Sequence, residues 1–210
     1  EDGNGGTSVI DKKVLLIGPD ENEVEEAIPN YDASGTPWAG ITGIADLYIT
    51  DGVTAVGNNA FSGMTELETV EIADSVTHIG DSAFSGASTA VFNGVEANGT
   101  LNLSHVNSVG ESAFQGCSGL RSRTLVLSGG GDIGASAFRN CGLNGVSFTG
   151  TGMTSVGDYA FYGNSLSRLT LPNTVKSIGA SAFENNSFSL LTLPESLETI
   201  GSRAFYSTGN

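Results

Sequence analysis

Residues 166–183, LSRLTLPNTVKSIGASAF, contain the pattern that decides the fold. The stretch has the form L-x-x-L-x-L followed by V-x-x-I-G-x-x-A-F. Its L-x-L part, Leu169 to Leu171, predicts a three-residue strand with both apolar side chains on one face. One such strand cannot bury that face alone, so the pattern requires neighbouring strands of the same design.

The same string recurs along most of the chain. Seven copies of V/I-G-x-x-A-F are present, and their Phe-to-Phe spacings are 23, 30, 24, 23, 22 and 22 residues. The repeat phenylalanines are Phe61, Phe84, Phe114, Phe138, Phe161, Phe183 and Phe205. An alternating apolar pair such as Leu101/Leu103 lies ahead of each of them, and its second member precedes the Phe by 11 to 13 residues. The pattern is therefore that of an internal repeat.

A period of 22–24 residues built on L-x-L is typical of leucine-rich repeats. We predict a leucine-rich-repeat solenoid of the β-rich α/β class, with seven stacked coils of 22–30 residues. Its L-x-L strands should form a parallel concave sheet, and the repeat Phe rings should stack as a ladder in the convex half of the core. The Gly of each copy suits either a positive φ or a close backbone approach.

The rest of the sequence suggests how the solenoid begins and ends. Residues 1–9 are polar and Gly-rich, which predicts a flexible lead. Residues 10–44 lack the repeat, so we interpret them as an N-terminal β cap, with a short helical face at Val24 and Ile28. The solenoid takes up residues 45–210. After Phe205 no cap follows, so the last coil is open, continued by further sequence, or covered by a partner. If a partner covers the last coil, that partner could be a second copy of this chain, so an oligomer through this coil is possible.

Two irregularities interrupt the repeat. Residues 87–100 form an insertion, which we interpret as a surface loop, with a binding loop as the alternative. Residues 129–131 are three consecutive glycines, which predict a bulge or a tight turn.

The charge balance excludes several classes of partner. Lys and Arg number 8 against 23 Asp and Glu, which gives a formal net charge of -15. A nucleic acid needs a basic stripe and an anionic membrane needs a basic patch, so neither is expected as a partner. No apolar run approaches the roughly 18 residues of a membrane span.

The reactive residues predict no catalytic site, cofactor or metal. His78 and His105 lack ligands at zinc-like spacing, and the acidic residues 20–26 lack a calcium-loop pattern. No nucleophile motif occurs, so we expect no enzyme activity. Cys117 and Cys141 each follow a repeat Phe by three residues in adjacent coils. They are either two small buried thiols, the preferred interpretation, or a disulfide between stacked coils.

The concave face of a solenoid is its usual binding surface. The strand residues predicted to face outward there, our candidate binding residues, are Tyr48, Glu71, Asn102, Val126, Ser147, Arg168, Thr170 and Thr192. Binding hot spots favour Trp, Tyr and Arg, which singles out Tyr48 and Arg168. Tyr159, Tyr162 and Tyr206, next to the Phe ladder on the convex side, form a rival contact patch.

The repeat units, together with ADSVTHIGDSAFSG at 73–86 and LPNTVKSIGASAF at 171–183, resemble the BspA-like leucine-rich-repeat family of bacterial surface proteins. The resemblance covers about residues 14–205. It implies export, with a cell-surface, lipid-anchored or secreted location, and a targeting segment that is absent from this chain. It also implies adhesion to an extracellular protein or glycan, and no catalytic residues. We therefore expect a non-enzymatic adhesin module; the alternative is a structural spacer or a fragment of a longer repeat array.

Overall fold

The computed structural model describes residues 13–17, 26–28, 38, 43–94 and 98–209, with the backbone alone for 13–17 and 26–28. The predicted flexible lead, residues 1–9, and the acidic residues 20–25 lie outside the described residues. Sixteen strands are described, in chain order: β1 Lys13–Ile17, β2 Glu26–Ile28, β3 Ile44–Ile49, β4 Val53–Val56, β5 Thr69–Ile72, β6 His78–Ile79, β7 Val91–Phe92, β8 Thr100–Leu103, β9 Ser108–Val109, β10 Thr124–Leu127, β11 Gly145–Phe148, β12 Ser155–Val156, β13 Arg168–Thr170, β14 Ser177–Ile178, β15 Leu190–Thr192 and β16 Thr199–Ile200. One turn of 3₁₀ helix, Ser118–Leu120, is the only helix in this part of the chain.

The strands form a solenoid with two parallel faces, which confirms the predicted fold. The first face holds the L-x-L strands in three hydrogen-bonded groups, ordered β1-β3-β5-β7, β8-β10-β11 and β13-β15. The second face holds β2 and the short strands that precede the repeat glycines, ordered β2-β4-β6-β9 and β12-β14-β16. Isolated bridges from Ile133 to Val109 and Val156 join these two groups. This second sheet was not predicted from the sequence.

The L-x-L pattern buries its apolar side chains as predicted. In β8, Leu101 and Leu103 are fully buried while Asn102 between them is exposed. Leu101 pairs with Leu125 of the next coil, and Leu125 pairs with Val146. Because equivalent residues stand in register, the apolar face of each strand continues that of its neighbour.

The repeat phenylalanines form the predicted ladder. Successive rings lie 5.2 to 5.4 Å apart between centroids, with interplanar angles of 2° to 20°. The first six rings are fully buried, and Phe205 in the last coil is half-buried. The backbone continues the same order, since the amide of Phe138 donates to the carbonyl of Ala160 one coil later, at 2.8 Å. The ladder therefore joins all seven coils into one core.

The repeat glycine is required by close backbone approach. A Cβ at Gly179 would lie 2.5 Å from the amide nitrogen of Asp158 in the preceding coil, a distance that real Cβ atoms do not reach. The positive φ lies two residues further on, and it is found in every coil, with φ of 53° to 58°. These left-handed residues are Asn59, Ser82, Ser112, Ser136, Tyr159, Ser181 and Arg203. The glycine thus allows the close backbone approach, while the positive φ is taken by the residue two positions later.

The N-terminal segment follows the coil pattern where it is described. β1 pairs in parallel with β3, and β2 pairs in parallel with β4. The Trp38 ring stacks on Phe61 at 5.0 Å, in the place of a repeat phenylalanine, and its indole N–H donates to Ala60. The expected helical face is wrong for Ile28, which lies in a strand, and Val24 lies outside the described residues. The cap boundaries, 10–44, stay a prediction.

The insertion is only partly a surface loop. Val91–Phe92 forms β7, which pairs with Thr69–Val70 and extends the first face. Phe92 is fully buried and packs edge-on against Phe84 and Phe114, at 5.6 and 5.4 Å between centroids. The surface-loop interpretation of 87–100 is therefore wrong for this stretch, because an apolar pair within it joins the core. Residues 95–97 lie outside the described residues.

The end of the solenoid and the glycine triplet complete the fold. In the last coil Leu191 and Leu193 are 38 and 36% exposed, unlike their buried equivalents Leu169 and Leu171. Leu190 is 50% exposed and lies in register with the exposed Arg168. At the triplet, Gly129 has a φ of +61°, and Gly130 and Gly131 form a bend. The Gly129 carbonyl accepts the amides of Gly152 and Met153 from the next coil.

Candidate functional site

The structure places the candidate binding residues on the first face, with their side chains exposed or half-buried. Tyr48, 36% exposed, pairs with Glu71 on adjacent strands. The remaining candidates fall in two further groups, namely Asn102, Val126 and Ser147 in register across β8, β10 and β11, and then Arg168, Thr170 and Thr192 on β13 and β15.

The insertion separates the first of these groups from the second. β7 pairs with β5 on one side, and β8 begins the next hydrogen-bonded group. The candidates therefore do not form one unbroken row, and Tyr48 and Arg168 lie in different groups. Sequence spacing could not reveal this, because β7 carries no repeat signature.

Two polar side chains on this face, Glu71 and Asn102, interact with their immediate surroundings. Partial burial raises the pKa of the Glu71 carboxyl through desolvation. The Asn102 side-chain oxygen accepts the amide of Ser104 at 3.0 Å, so it is bound to its own strand end. This face presents hydroxyl, amide and single charged groups, which suits contact with a partner surface more than chemistry.

The two cysteines are free and buried, which answers the question of a disulfide in favour of two thiols. The Cys117 thiol donates to the carbonyl of Phe84 at 3.2 Å, and Cys141 donates to that of Phe114 at 3.0 Å. Burial raises the pKa of Cys117 to about 12 and raises that of Cys141 well above its ordinary value. Both thiols therefore stay protonated at neutral pH, and neither has the thiolate character of a nucleophile.

Each histidine has a polar neighbour within the fold. The His105 Nδ1 lies 3.4 Å from a carboxylate oxygen of Asp74, and desolvation by burial lowers the pKa of His105. The Nδ1 atom of His78 lies 2.7 Å from the hydroxyl of Thr77. Within the described residues, no group of three or more His, Cys, Asp and Glu side chains is arranged to hold a metal ion. No helix in the same part of the chain has the length and hydrophobicity to cross a membrane.

The rival tyrosines gather with two arginines on the turns that carry the Phe ladder. The Arg139 guanidinium lies over the rings of Tyr159 and Tyr162, at 5.3 and 5.0 Å to their centroids. The Arg203 guanidinium lies 4.3 Å from the ring centroid of Tyr206.

Arg203 also forms an ion pair with the buried carboxylate of Glu184, at 2.6 Å. The Arg203 hydrogen bond lowers the pKa of Glu184. We call these six residues the Tyr/Arg patch: Arg139, Tyr159, Tyr162, Glu184, Arg203 and Tyr206. Sequence reasoning found its tyrosines and missed its charged members.

Comparison with known sequences gives the family. The pattern described as BspA type leucine rich repeat region matches residues 39–149 and 88–210, with six copies. The chain belongs to the BspA type leucine rich repeat family. This is a family of bacterial surface proteins, and a non-enzymatic repeat module is consistent with it. A search of curated proteins found no match.

Solved structures of other bacterial proteins share the fold of this BspA type chain. A leucine rich cell surface protein from Faecalibacterium prausnitzii A2-165 is 23% identical, with a TM-score of 0.64 over 84% of this chain and 47% of that one. This chain thus spans about half the length of that relative. The Treponema pallidum leucine rich repeat protein is 23% identical, with a TM-score of 0.51 over 88% of this chain and 81% of its own. At these identities the likeness concerns the fold alone.

Proposed function

We propose that this BspA type chain is a non-enzymatic interaction module of the bacterial exterior, an adhesin that binds a host protein or glycan. The observation that carries the proposal is the alternation within the L-x-L strands. In five of the seven coils both outer residues are buried while the middle one reaches the surface, as Asn102 does between Leu101 and Leu103. A rigid core thereby holds a series of polar side chains at fixed spacing, which is how repeat proteins present binding surfaces.

The concave residues named above are the proposed contact surface, with Tyr48 and Arg168 as its strongest contributors. Tyr and Arg dominate binding energy at protein interfaces, while Thr and Ser contribute less. With a formal net charge of -15, the chain favours partners with basic surface regions, and such binding weakens as salt increases.

The experiment that tests the function is a binding screen of the whole chain against extracellular-matrix proteins and a glycan array, at physiological salt with and without Ca²⁺. The proposal expects a saturable hit that higher salt weakens. Silence across the screen, with a correctly folded chain, contradicts it. Fractionation of the producing bacterium tests the location, which we propose to be the cell surface or the medium.

The concave contact surface is tested by one double variant. Tyr48→Ala combined with Arg168→Ala should weaken a hit about tenfold or more, because two hot-spot side chains are lost. Asn173→Ala is the matched control, since Asn173 is exposed and lies outside the strands of the first face. Unchanged affinity in the double variant places the contact elsewhere.

A second candidate function is a structural spacer within a longer repeat array. The apolar side chains exposed in the last coil, Leu190, Leu191 and Leu193, favour it, because another coil or a partner would cover them. The same surface is the proposed route to an oligomer. Sedimentation of the chain over a range of concentrations separates a monomer from an assembly through this end.

A further inference from the structure

Two rows of residues on the Phe-ladder turns change composition part-way along the solenoid. One row consists of the left-handed residues, and the other of the residues that directly follow each repeat Phe. In the coils of Phe61, Phe84 and Phe114 both rows are small or polar, with Asn59, Ser62, Ser82, Ser85, Ser112 and Gln115. From the coil of Phe138 onward they also carry Arg139, Tyr159, Tyr162, Glu184, Arg203 and Tyr206. Equivalent positions of the repeat thus form a small, polar surface in the first three coils and a surface with Tyr, Arg and Glu in the later ones.

Two members of the patch occupy backbone positions that disfavour them. Tyr159 and Arg203 have φ of 56° and 58°, in the left-handed region. Four of the other five coils use Ser at this position and one uses Asn. A bulky side chain there is unusual and costs stability, and such outliers concentrate at sites of function. The backbone conformation at position 159 therefore favours Ser or Asn over tyrosine.

Arg139 is a cation without an acidic partner. It makes no ion pair within residues 43–94 and 98–209, whereas Arg203 pairs with Glu184 at 2.6 Å. Its Nε atom is buried and has no hydrogen-bond partner. Arg121 and Arg168 also make no ion pair in the described part of the chain, so the buried Nε without a partner is what distinguishes Arg139. A guanidinium stacked on aromatic rings still has its in-plane N–H groups to offer to an anion.

We propose that the Tyr/Arg patch is a second contact surface that binds an acidic segment of a protein partner. A carboxylate of that segment pairs with the Arg139 guanidinium, between Tyr159 and Tyr162, and the exposed Tyr206 extends the contact. This rests on the proposed function as an interaction module and adds a site and a ligand chemistry to it.

The composition of the patch supports this choice of partner. Tyr and Arg are the side chains enriched at binding hot spots, and carboxylates are the natural bidentate partners of arginine. Guanidinium groups already cover one face of each of the three tyrosine rings. That arrangement favours a partner that pairs with the cations over a sugar that stacks on the rings.

The test is a selection of displayed random 12-residue peptides on the whole chain, followed by affinity measurements with the enriched peptides. We expect the enriched peptides to contain Asp or Glu. Arg139→Gln should weaken them about tenfold or more, and Arg139→Lys should also weaken them because the planar fork is lost. Gln115→Ala, in the same row but outside the patch, is the matched control and should leave affinity unchanged.

Tyr159→Ser separates a binding role from a structural one. Ser is the residue that four other coils use at this position, so this variant should be at least as stable as the unchanged chain. It should nevertheless weaken the acidic peptides. If Tyr159→Ser and Arg139→Gln both bind the acidic peptides as tightly as the unchanged chain does, the inference is overturned. Enriched peptides without acidic residues also overturn it, and so does a selection without enrichment.

The result is distinguishable from failure of the proposed function. If a matrix or glycan ligand binds Arg139→Gln with full affinity and no peptide depends on Arg139, the Tyr/Arg patch is not a contact surface. The adhesin proposal stays intact in that case. An acidic glycan that depends on Arg139, without any such peptide, overturns the assignment to a protein partner.

Discussion

Cys141 and Asn164 occupy the same position in adjacent coils and donate to equivalent carbonyl groups, those of Phe114 and Phe138, at 3.0 and 2.8 Å. The two side chains differ in one respect, because asparagine also carries an oxygen that must accept a hydrogen bond when it is buried. The Asn164 side-chain oxygen also accepts the amide of Leu143 in the coil before it, at 2.9 Å. The equivalent amide for position 141 is that of Gly119.

The Gly119 amide is already committed, since it donates to the carbonyl of Ser88 at 2.9 Å. A cysteine donates without requiring a donor in return, so it fits where an asparagine does not. We expect Cys141→Asn to lower the free energy of unfolding by about 1–3 kcal/mol, the cost of a buried unsatisfied carbonyl. Cys141→Ala should cost less, about 1 kcal/mol. Denaturant unfolding of both variants gives the comparison, and equal or greater loss in Cys141→Ala contradicts the argument.

The buried thiols also predict the response to alkaline pH. The pKa of Cys117 is raised to about 12, whereas an unfolded cysteine titrates near 8.5. Above about pH 8.5 the unfolded state loses a proton that the folded state keeps, so the free energy of unfolding falls as pH rises, by up to about 1.4 kcal/mol per pH unit per thiol. Unfolding measured between about pH 8 and 10.5 should show this slope, and Cys117→Ala with Cys141→Ala should reduce it. An unchanged slope in the double variant would contradict the assignment of this pH dependence to the two thiols. Thiol titration should find two reactive groups, and only after unfolding.

The Phe ladder predicts where truncation is most damaging. Phe138 is fully buried between the rings of Phe114 and Phe161, at 5.2 and 5.3 Å. Phe138→Ala should cost about 3–5 kcal/mol and lower the melting temperature by about 6 °C or more. Phe205→Ala, at the half-buried end of the ladder, should cost less. A melting shift below about 2 °C for Phe138→Ala contradicts the ladder as the main core element.

The repeat glycine makes a separate prediction about backbone spacing. A Cβ at position 157 would lie 2.6 Å from the amide nitrogen of Ala135 in the preceding coil. Since a backbone atom cannot swing aside, Gly157→Ala should destabilise the chain by about 1–3 kcal/mol. Gly209→Ala is the control, because its nearest neighbour would be 3.8 Å away, at the carbonyl of Phe188. Thermal unfolding of the pair decides the matter, and similar melting temperatures for both would mean that the coils can separate to admit a methyl group.

Sequence periodicity was sufficient for the parts of the fold that repeat. The L-x-L strands, the Phe ladder and the solenoid itself depend on short-range patterns that recur seven times, and all of them are found in the structure. The second sheet was missed because most of its strands are only two residues long, and strands such as Ser177–Ile178 carry a single buried side chain. Trp38 was missed as a ladder ring because Pro37 stands where the repeat has Ala.

The candidate sites depend on what breaks the repeat, and this limits their prediction. The division of the candidate binding residues follows from β7, an apolar pair inside the insertion that only its pairing with β5 identifies as a strand. Arg139 and Arg203 of the Tyr/Arg patch could have been found by aligning the coils, because the rows change from Ser and Asn to large side chains at one point. Their ion pairing and stacking depend on distances between coils, which spacing alone does not give.

The repeat glycines from Gly80 to Gly201, which lie against the backbone of the preceding coil, have a consequence for how such a protein changes in length. Contact between main-chain atoms, which is independent of side-chain identity, sets the separation of successive coils. A whole coil can therefore be duplicated or deleted while the cross-section stays constant, so every surface row grows or shortens by one residue. An insertion inside a coil, as at 87–100, instead displaces one row relative to the others. Length and surface composition thus become independent variables, and new binding specificity can arise at one end of the solenoid without disturbing the other.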